Sequence, residues 1–157
     1  MTTDQKAQEY AYSKRVFPSI SALLPIALVA PSVALVVLPF LSDLAAITLG
    51  LVVAIGLLAL ILVKAPLVSV TVGAESTLQV GRARVPLKFI EKAEVVAGEK
   101  MRFEKGPGLN AKAYFLNQAG TKVLVKVTLN DKNDSTPYWL FACSEPDDLV
   151  IALRANR

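Results

Sequence analysis

Between Phe17 and Val63 the chain carries a single ionisable side chain, Asp43, in a run made almost wholly of Leu, Val, Ile, Ala, Pro and Phe. The hydrocarbon core of a bilayer takes about 20 apolar residues per helical crossing. The run is too long for one crossing and suits two, folded back at Ser42-Asp43. This divides the chain into a polar cytoplasmic tail (1–16), a first transmembrane helix (17–41), an external turn (42–43), a second transmembrane helix (44–63) and a cytoplasmic module (64–157). The expected fold class is a membrane α-hairpin followed by a small α+β module. A cleaved signal peptide does not fit, since its apolar core would run to about 7–15 residues and close with an A-x-A site.

Lys14 and Arg15 precede the first crossing and Lys64 follows the second. The positive-inside rule then places both termini in the cytoplasm and the protein in the plasma membrane as a two-crossing chain. Pro25 and Pro31 lie inside the first crossing, where each removes a backbone donor and crowds the preceding turn. The hydroxyls of Ser21 and Ser32 are placed to serve the carbonyls so freed. With no charge along it, this segment reads as a kinked anchor and not as a conduction path. Asp43 is expected to cap the second crossing. Ala46, Gly50 and Ala54 recur every fourth residue and so share one helix face, a small-residue face that lets backbones approach closely in lipid. Ala30 and Ala34 offer the partner surface within the hairpin; self-association through the same face is the alternative.

Past Lys64 the pattern turns from helical to alternating. Leu67 to Val72 and Leu78 to Val80 flank a hairpin turn at Gly73-Ala74-Glu75-Ser76. Arg82 and Arg84 share one face of the next run, Phe89 to Val96 forms another strand, and Ala111 to Leu116 a short one. In Thr121 to Leu129, Val123, Val125, Val127 and Leu129 point one way and Lys122, Lys126 and Thr128 the other. Pro137 to Ala142 is the last strand, with one of the neighbouring rings Tyr138 and Trp139 expected inward and the other outward. A helix follows over 145–155, with Ser144 as cap and Leu149, Leu153 and Ile151 inward. Short antiparallel strands closed by one helix suggest a strongly bent sheet or barrel of the pleckstrin-homology-like (PH-like) kind, by analogy of element order.

One cysteine, Cys143, and no histidine leave no usual zinc site and no Ser-His or Cys-His catalytic pair. No cofactor loop is present either; Gly106-Pro107-Gly108 lacks the strand-to-helix setting of a phosphate cradle. Asp131 and Asp134 read as turn formers, and Glu91, Glu94, Glu99 and Glu104 among their lysines as a solvated face. From Lys64 onward there are 14 Lys and Arg against 10 Asp and Glu. That spread surplus suits an anionic lipid surface better than nucleic acid, which calls for a concentrated basic stripe. The candidate binding set is Arg82, Arg84, Lys122 and Lys126, for acidic lipid headgroups or a protein partner; otherwise it solubilises the surface. The expected role is a membrane-anchored binding or scaffold module without catalysis. The alternatives are an accessory subunit of a transporter or other membrane complex and, less favoured, a membrane-bound enzyme.

Four segments carry a family resemblance: Tyr12-Ser13-Lys14-Arg15-Val16; Gly81 to Leu87; Gly106-Pro107-Gly108-Leu109 with Ala113-Tyr114; and Asp134-Ser135-Thr136-Pro137-Tyr138-Trp139-Leu140. Together they resemble DUF3093, an actinobacterial membrane-protein family of uncharacterised function, over almost the whole chain. The motif Thr136-Pro137-Tyr138-Trp139, with a Pro-led helix after it, is its most specific part. The resemblance implies two crossings and then a β module, and supplies no activity. This chain departs from the pattern at Asn110-Ala111, where Asp-Pro is usual, and at Ala142 to Pro146, where Ser-Thr-Arg-Arg-Pro is common.

Overall fold

The apolar run folds as three helices: α1 (Ile20–Ala27), α2 (Val29–Val37) and α3 (Asp43–Val63). The computed structural model describes residues 9–73 and 75–156. Within them Ile20–Val37 and Asp43–Val63 are long and apolar enough to cross a membrane. The break at Leu28 follows from the two prolines. Pro31 has no N–H for the Ala27 carbonyl, and Leu28 N donates three residues back, to Pro25 O at 3.1 Å. The hydroxyl repair expected here does not occur. Ser32 Oγ donates to Leu28 O at 2.7 Å, a carbonyl that already accepts Ser32 N, and Ser21 Oγ pairs with Ser19 Oγ.

Asp43 is not the cap of α3. Ser42 holds that position with an extended backbone and no side-chain cap bond, and Asp43 lies in the first helical turn. There its carboxylate complements the positive end of the helix dipole. The small-residue face packs inside the hairpin: Ala46 and Gly50 are buried, Ala54 half-buried. A Cβ placed on Gly50 would collide with the Ala30 carbonyl. Gly50→Val is therefore expected to weaken the α2–α3 contact by about 1–3 kcal/mol, the usual cost of overpacking. Gly56→Val, with nothing within 4 Å of the added carbon, is expected to be neutral. The helix-loss midpoint on titrating the micelle-bound chain with SDS measures both.

The second unit is built from the segments on either side of the hairpin, up to Val16 and from Pro66 onward. Its first strand, β1 (Glu9–Arg15), comes from what the sequence suggests is a tail. β1 pairs antiparallel with β2 (Leu67–Val72), with Arg15 opposite Leu67, and Val16 N donates to Pro66 O at 2.9 Å. The helical hairpin is thus an insertion between two neighbouring strands. The polar letters of β1 hide a strand whose inward residue, Tyr12, is 7% exposed. β3 (Thr77–Val80) and β4 (Ala83–Pro86) complete a sheet of order β1-β2-β3-β4.

Among the described residues the strands form two four-stranded sheets, not one continuous one. β5 (Ile90–Ala97), β6 (Tyr114–Leu116), β7 (Val123–Leu129) and β8 (Tyr138–Ala142) form the second, in order β5-β7-β8-β6. The antiparallel expectation holds for every pair but β6 and β8, which run parallel. This follows from the chain's path from the β5 edge to the opposite edge, since same-direction strands need a crossover of a dozen residues or more. That crossover carries a helix the sequence reading lacks, α4 (Gly98–Glu104).

α5 spans Pro146–Ala155 with Glu145 at the cap position and Pro146 leading. Ser144 is not the cap; its hydroxyl donates to Arg15 O at 3.0 Å and ties the helix start to the end of β1. Leu149, Val150 and Leu153 face the core, while Ile151, expected inward, is 64% exposed. At 3.6 residues per turn Ile151 falls two places from both Leu149 and Leu153, on the opposite side. The core joins both sheets to this helix through Val70, Leu78, Val125, Phe141 and Leu149.

Candidate functional site

The four candidate cations do not form one patch. Arg82 occupies the β3–β4 turn, and Gly81, at φ 61°, makes that turn possible because a side chain there would be strained. Gly81 N donates to Leu67 O at 2.7 Å, so the turn sits at the end of the sheet from which both links to the hairpin leave. Arg84, one step along β4, donates through Nε to Gln79 Oε1 at 3.1 Å. Lys122 precedes β7, whose Leu124 pairs with Ala142, the end of β8 leading to Ser144 and Arg15. Leu116 of β6 lies against Gly81. Arg82 and Lys122 are exposed and share the link end. Lys14, also there, is paired with Glu145 at 3.1 Å.

Lys126 belongs elsewhere. Its ammonium lies 2.8 and 2.7 Å from the two carboxylate oxygens of Glu104 and 4.3 Å from the centroid of the Tyr138 ring. Glu104 is 9% exposed, so it departs from the solvated face expected of its neighbours. Pairing with a buried carboxylate, with Lys126 itself half-buried, takes Lys126 out of any surface patch. Glu94 does match that expectation, with Lys92 and Lys100 holding its carboxyl below the usual range.

Tyr138 and Trp139 face opposite sides of β8, as strand alternation requires, yet both are buried, at 9% and 5% exposure. The crossover covers the side that would otherwise be open. Tyr138 OH accepts from Asn110 N at 2.8 Å and donates to Gly108 O at 3.3 Å. Trp139 packs against Tyr114 with the rings tilted and their centroids 5.0 Å apart, and Tyr114 OH donates to Val80 O beside the Gly81-Arg82 turn. The Thr136 side chain and, secondly, Thr136 N, which donates to Asp134 Oδ1 at 2.8 Å, hold the Asp134 carboxyl pKa below its usual range. Asn133 N donates to Asp131 Oδ1, and both aspartates act as turn formers. Three of the four motif segments are therefore parts of one packed network running from Tyr138-Trp139 through Gly108 and Tyr114 to Val80 and Gly81.

Tyr12 OH and Cys143 Sγ lie 3.1 Å apart in the core. Burial raises the pKa of both groups, so both stay protonated at neutral pH. No group of three or more His, Cys, Asp or Glu suited to a metal occurs among the described residues. Neither Glu104–Lys126 nor Tyr12–Cys143 was legible beforehand, since the pairs stand 22 and 131 residues apart. A lone Lys amid the valines of β7 was the one local hint.

These features define a class: a pair of apolar helices inserted into the first β-hairpin of a two-sheet module closed by a C-terminal helix. The chain belongs to the family described as Protein of unknown function (DUF3093), whose model matches residues 11–153. No curated protein and no solved structure matches it.

Proposed function

We propose that the helical pair spans the plasma membrane as a hairpin, with both termini on the cytoplasmic side. The two-sheet unit is then a PH-like binding or scaffold module whose link end meets acidic lipid headgroups. The observation that carries this reading is the Gly81 N to Leu67 O bond. It holds the Gly81-Arg82 turn beside Leu67, the first residue of β2, and Lys122 lies at the same end of the module on the other sheet. Each juxtamembrane cation near an anionic surface is worth about 1 kcal/mol. Arg84 adds to the same sheet, and Lys126 is left out. The reading assigns the module binding and no catalysis.

In nanodiscs of mixed phosphatidylcholine and phosphatidylglycerol, Arg82→Ala with Lys122→Ala is expected to lower phosphatidylglycerol enrichment around the full chain by about tenfold. High salt is expected to have the same effect on the unmodified protein, because exposed charges are screened within about 10 Å at 0.1 M. Lipid co-isolated with the chain, counted by mass spectrometry, gives the result. Equal enrichment in variant and parent removes lipid contact from the reading. A reporter fused after Arg157 that proves extracellular removes the topology.

A further inference from the structure

Phe103, in the last turn of α4, is 60% exposed, yet everything around it is fastened. Its carbonyl accepts from Gly108 N at 2.8 Å and Gly106 N at 3.1 Å. Its neighbour Glu104 is held by Lys126, and Tyr138 grips the loop at Gly108 O and Asn110 N. A Cβ on Gly108 would come within 2.7 Å of ring atom Cδ1 of Phe103, so the glycine is what lets the ring rest on the loop. Arg102 and Lys105 flank it, both exposed, and among the described residues neither is in an ion pair. An aromatic and an arginine on an already ordered backbone match the make-up of interface anchors. Pre-ordering also removes the entropy cost that a flexible loop meets on binding.

We propose that α4 and the Gly106-Pro107-Gly108 loop form a docking surface for a protein partner, which presents an acidic segment to Arg102 and Lys105 and an apolar pocket to Phe103. Charge complementarity selects the acidic segment; Glu99, one turn back, is the only exposed acid of α4. A membrane is the poorer occupant. Glu104 docks on Lys126 in mid-β7, and Tyr138 starts β8 at the end away from Ala142 and the hairpin links.

The test places the photo-crosslinker p-benzoylphenylalanine at Phe103 and, in a second variant, at Lys105, in the full chain in the cells that make it. The expected adduct is an acidic peptide of another protein. Its yield is expected to fall about tenfold when Arg102 and the unmodified neighbour Lys105 (in the Phe103 variant) become Glu. It is expected to persist in Arg82→Ala with Lys122→Ala, which separates this surface from the lipid-facing end. Adducts to lipid only, to a second copy of the chain, or to a non-acidic peptide overturn the proposal. So does no adduct at either position, or a yield that charge reversal leaves unchanged.

Discussion

A chain starting at Pro66 is expected not to fold, whereas the same residues preceded by 9–16 and joined through an Asn-Gly turn are expected to form a water-soluble domain. The reason is the insertion of the helices between β1 and β2. Val16 N and Pro66 O are 2.9 Å apart, and the strands they end are antiparallel neighbours. A two-residue type I′ turn closes such a pair without strain. Without β1 the core loses Tyr12 and Val16, at 7% and 3% exposure. Burying a side chain of that size is worth about 1.5–3 kcal/mol, so the loss is on the scale of a small domain's whole stability, about 5–15 kcal/mol. Val70, the cross-strand partner of Tyr12, and Cys143 would also be opened to water. Amide dispersion by NMR and a cooperative melt distinguish the two proteins. If the fragment from Pro66 melts as cooperatively and as high as the spliced chain, β1 is dispensable and the insertion view is wrong.

The contrast between the hairpin and the crossover shows which features a sequence exposes. The apolar run announces itself because composition alone defines it, and Gly50 stands out because its spacing from Ala46 and Ala54 is local. β2, β3 and β7 are legible for the same reason: alternation repeats every second residue. β1 is not, because its charged and hydroxyl residues make up the outer face and leave Tyr12 as its main inward signal. α4 is short and begins at a glycine with φ 59°, so neither propensity nor periodicity marks it. Once that helix is missed, three further errors follow. Glu104 reads as solvated, Lys126 as a surface cation, and one ring of the Tyr138-Trp139 pair as exposed. Each depends on what covers the second face of β8, and that cover comes from residues some 30 positions earlier in the chain, as the Tyr138–Gly108 bond shows. The resemblance segments pointed to the right residues without their arrangement.

Glu104→Ala is expected to destabilise the module by about 3 kcal/mol, and Glu104→Leu combined with Lys126→Leu to recover most of the loss. The two side chains retain 12% and 19% exposure, so the carboxylate is largely cut off from water. Removing one partner of a buried pair leaves the other charge without compensation, at a typical cost of about 3–5 kcal/mol; replacing both with apolar residues is often neutral. The remaining exposure of Lys126 and its contact with the Tyr138 ring put the expected loss at the lower end of that range, since a cation over an aromatic face keeps about 0.5–2 kcal/mol. Lys126→Met is expected to cost as much as Glu104→Ala or more, because the stranded carboxylate has no ring to rest on. Denaturant midpoints of the micelle-bound chain, read by Trp139 fluorescence for the parent, Glu104→Leu, Lys126→Leu and the double leucine variant, give the four values of a double-mutant cycle. The same cycle reports on the docking surface, because α4 is fastened to β7 through this pair. A double leucine variant that keeps the stability but loses the Phe103 crosslink would show that the pair positions α4. A cycle with no coupling between the two sites would mean that the pair does not hold α4, leaving that to the buried Met101 and the Tyr138 bonds to the following loop.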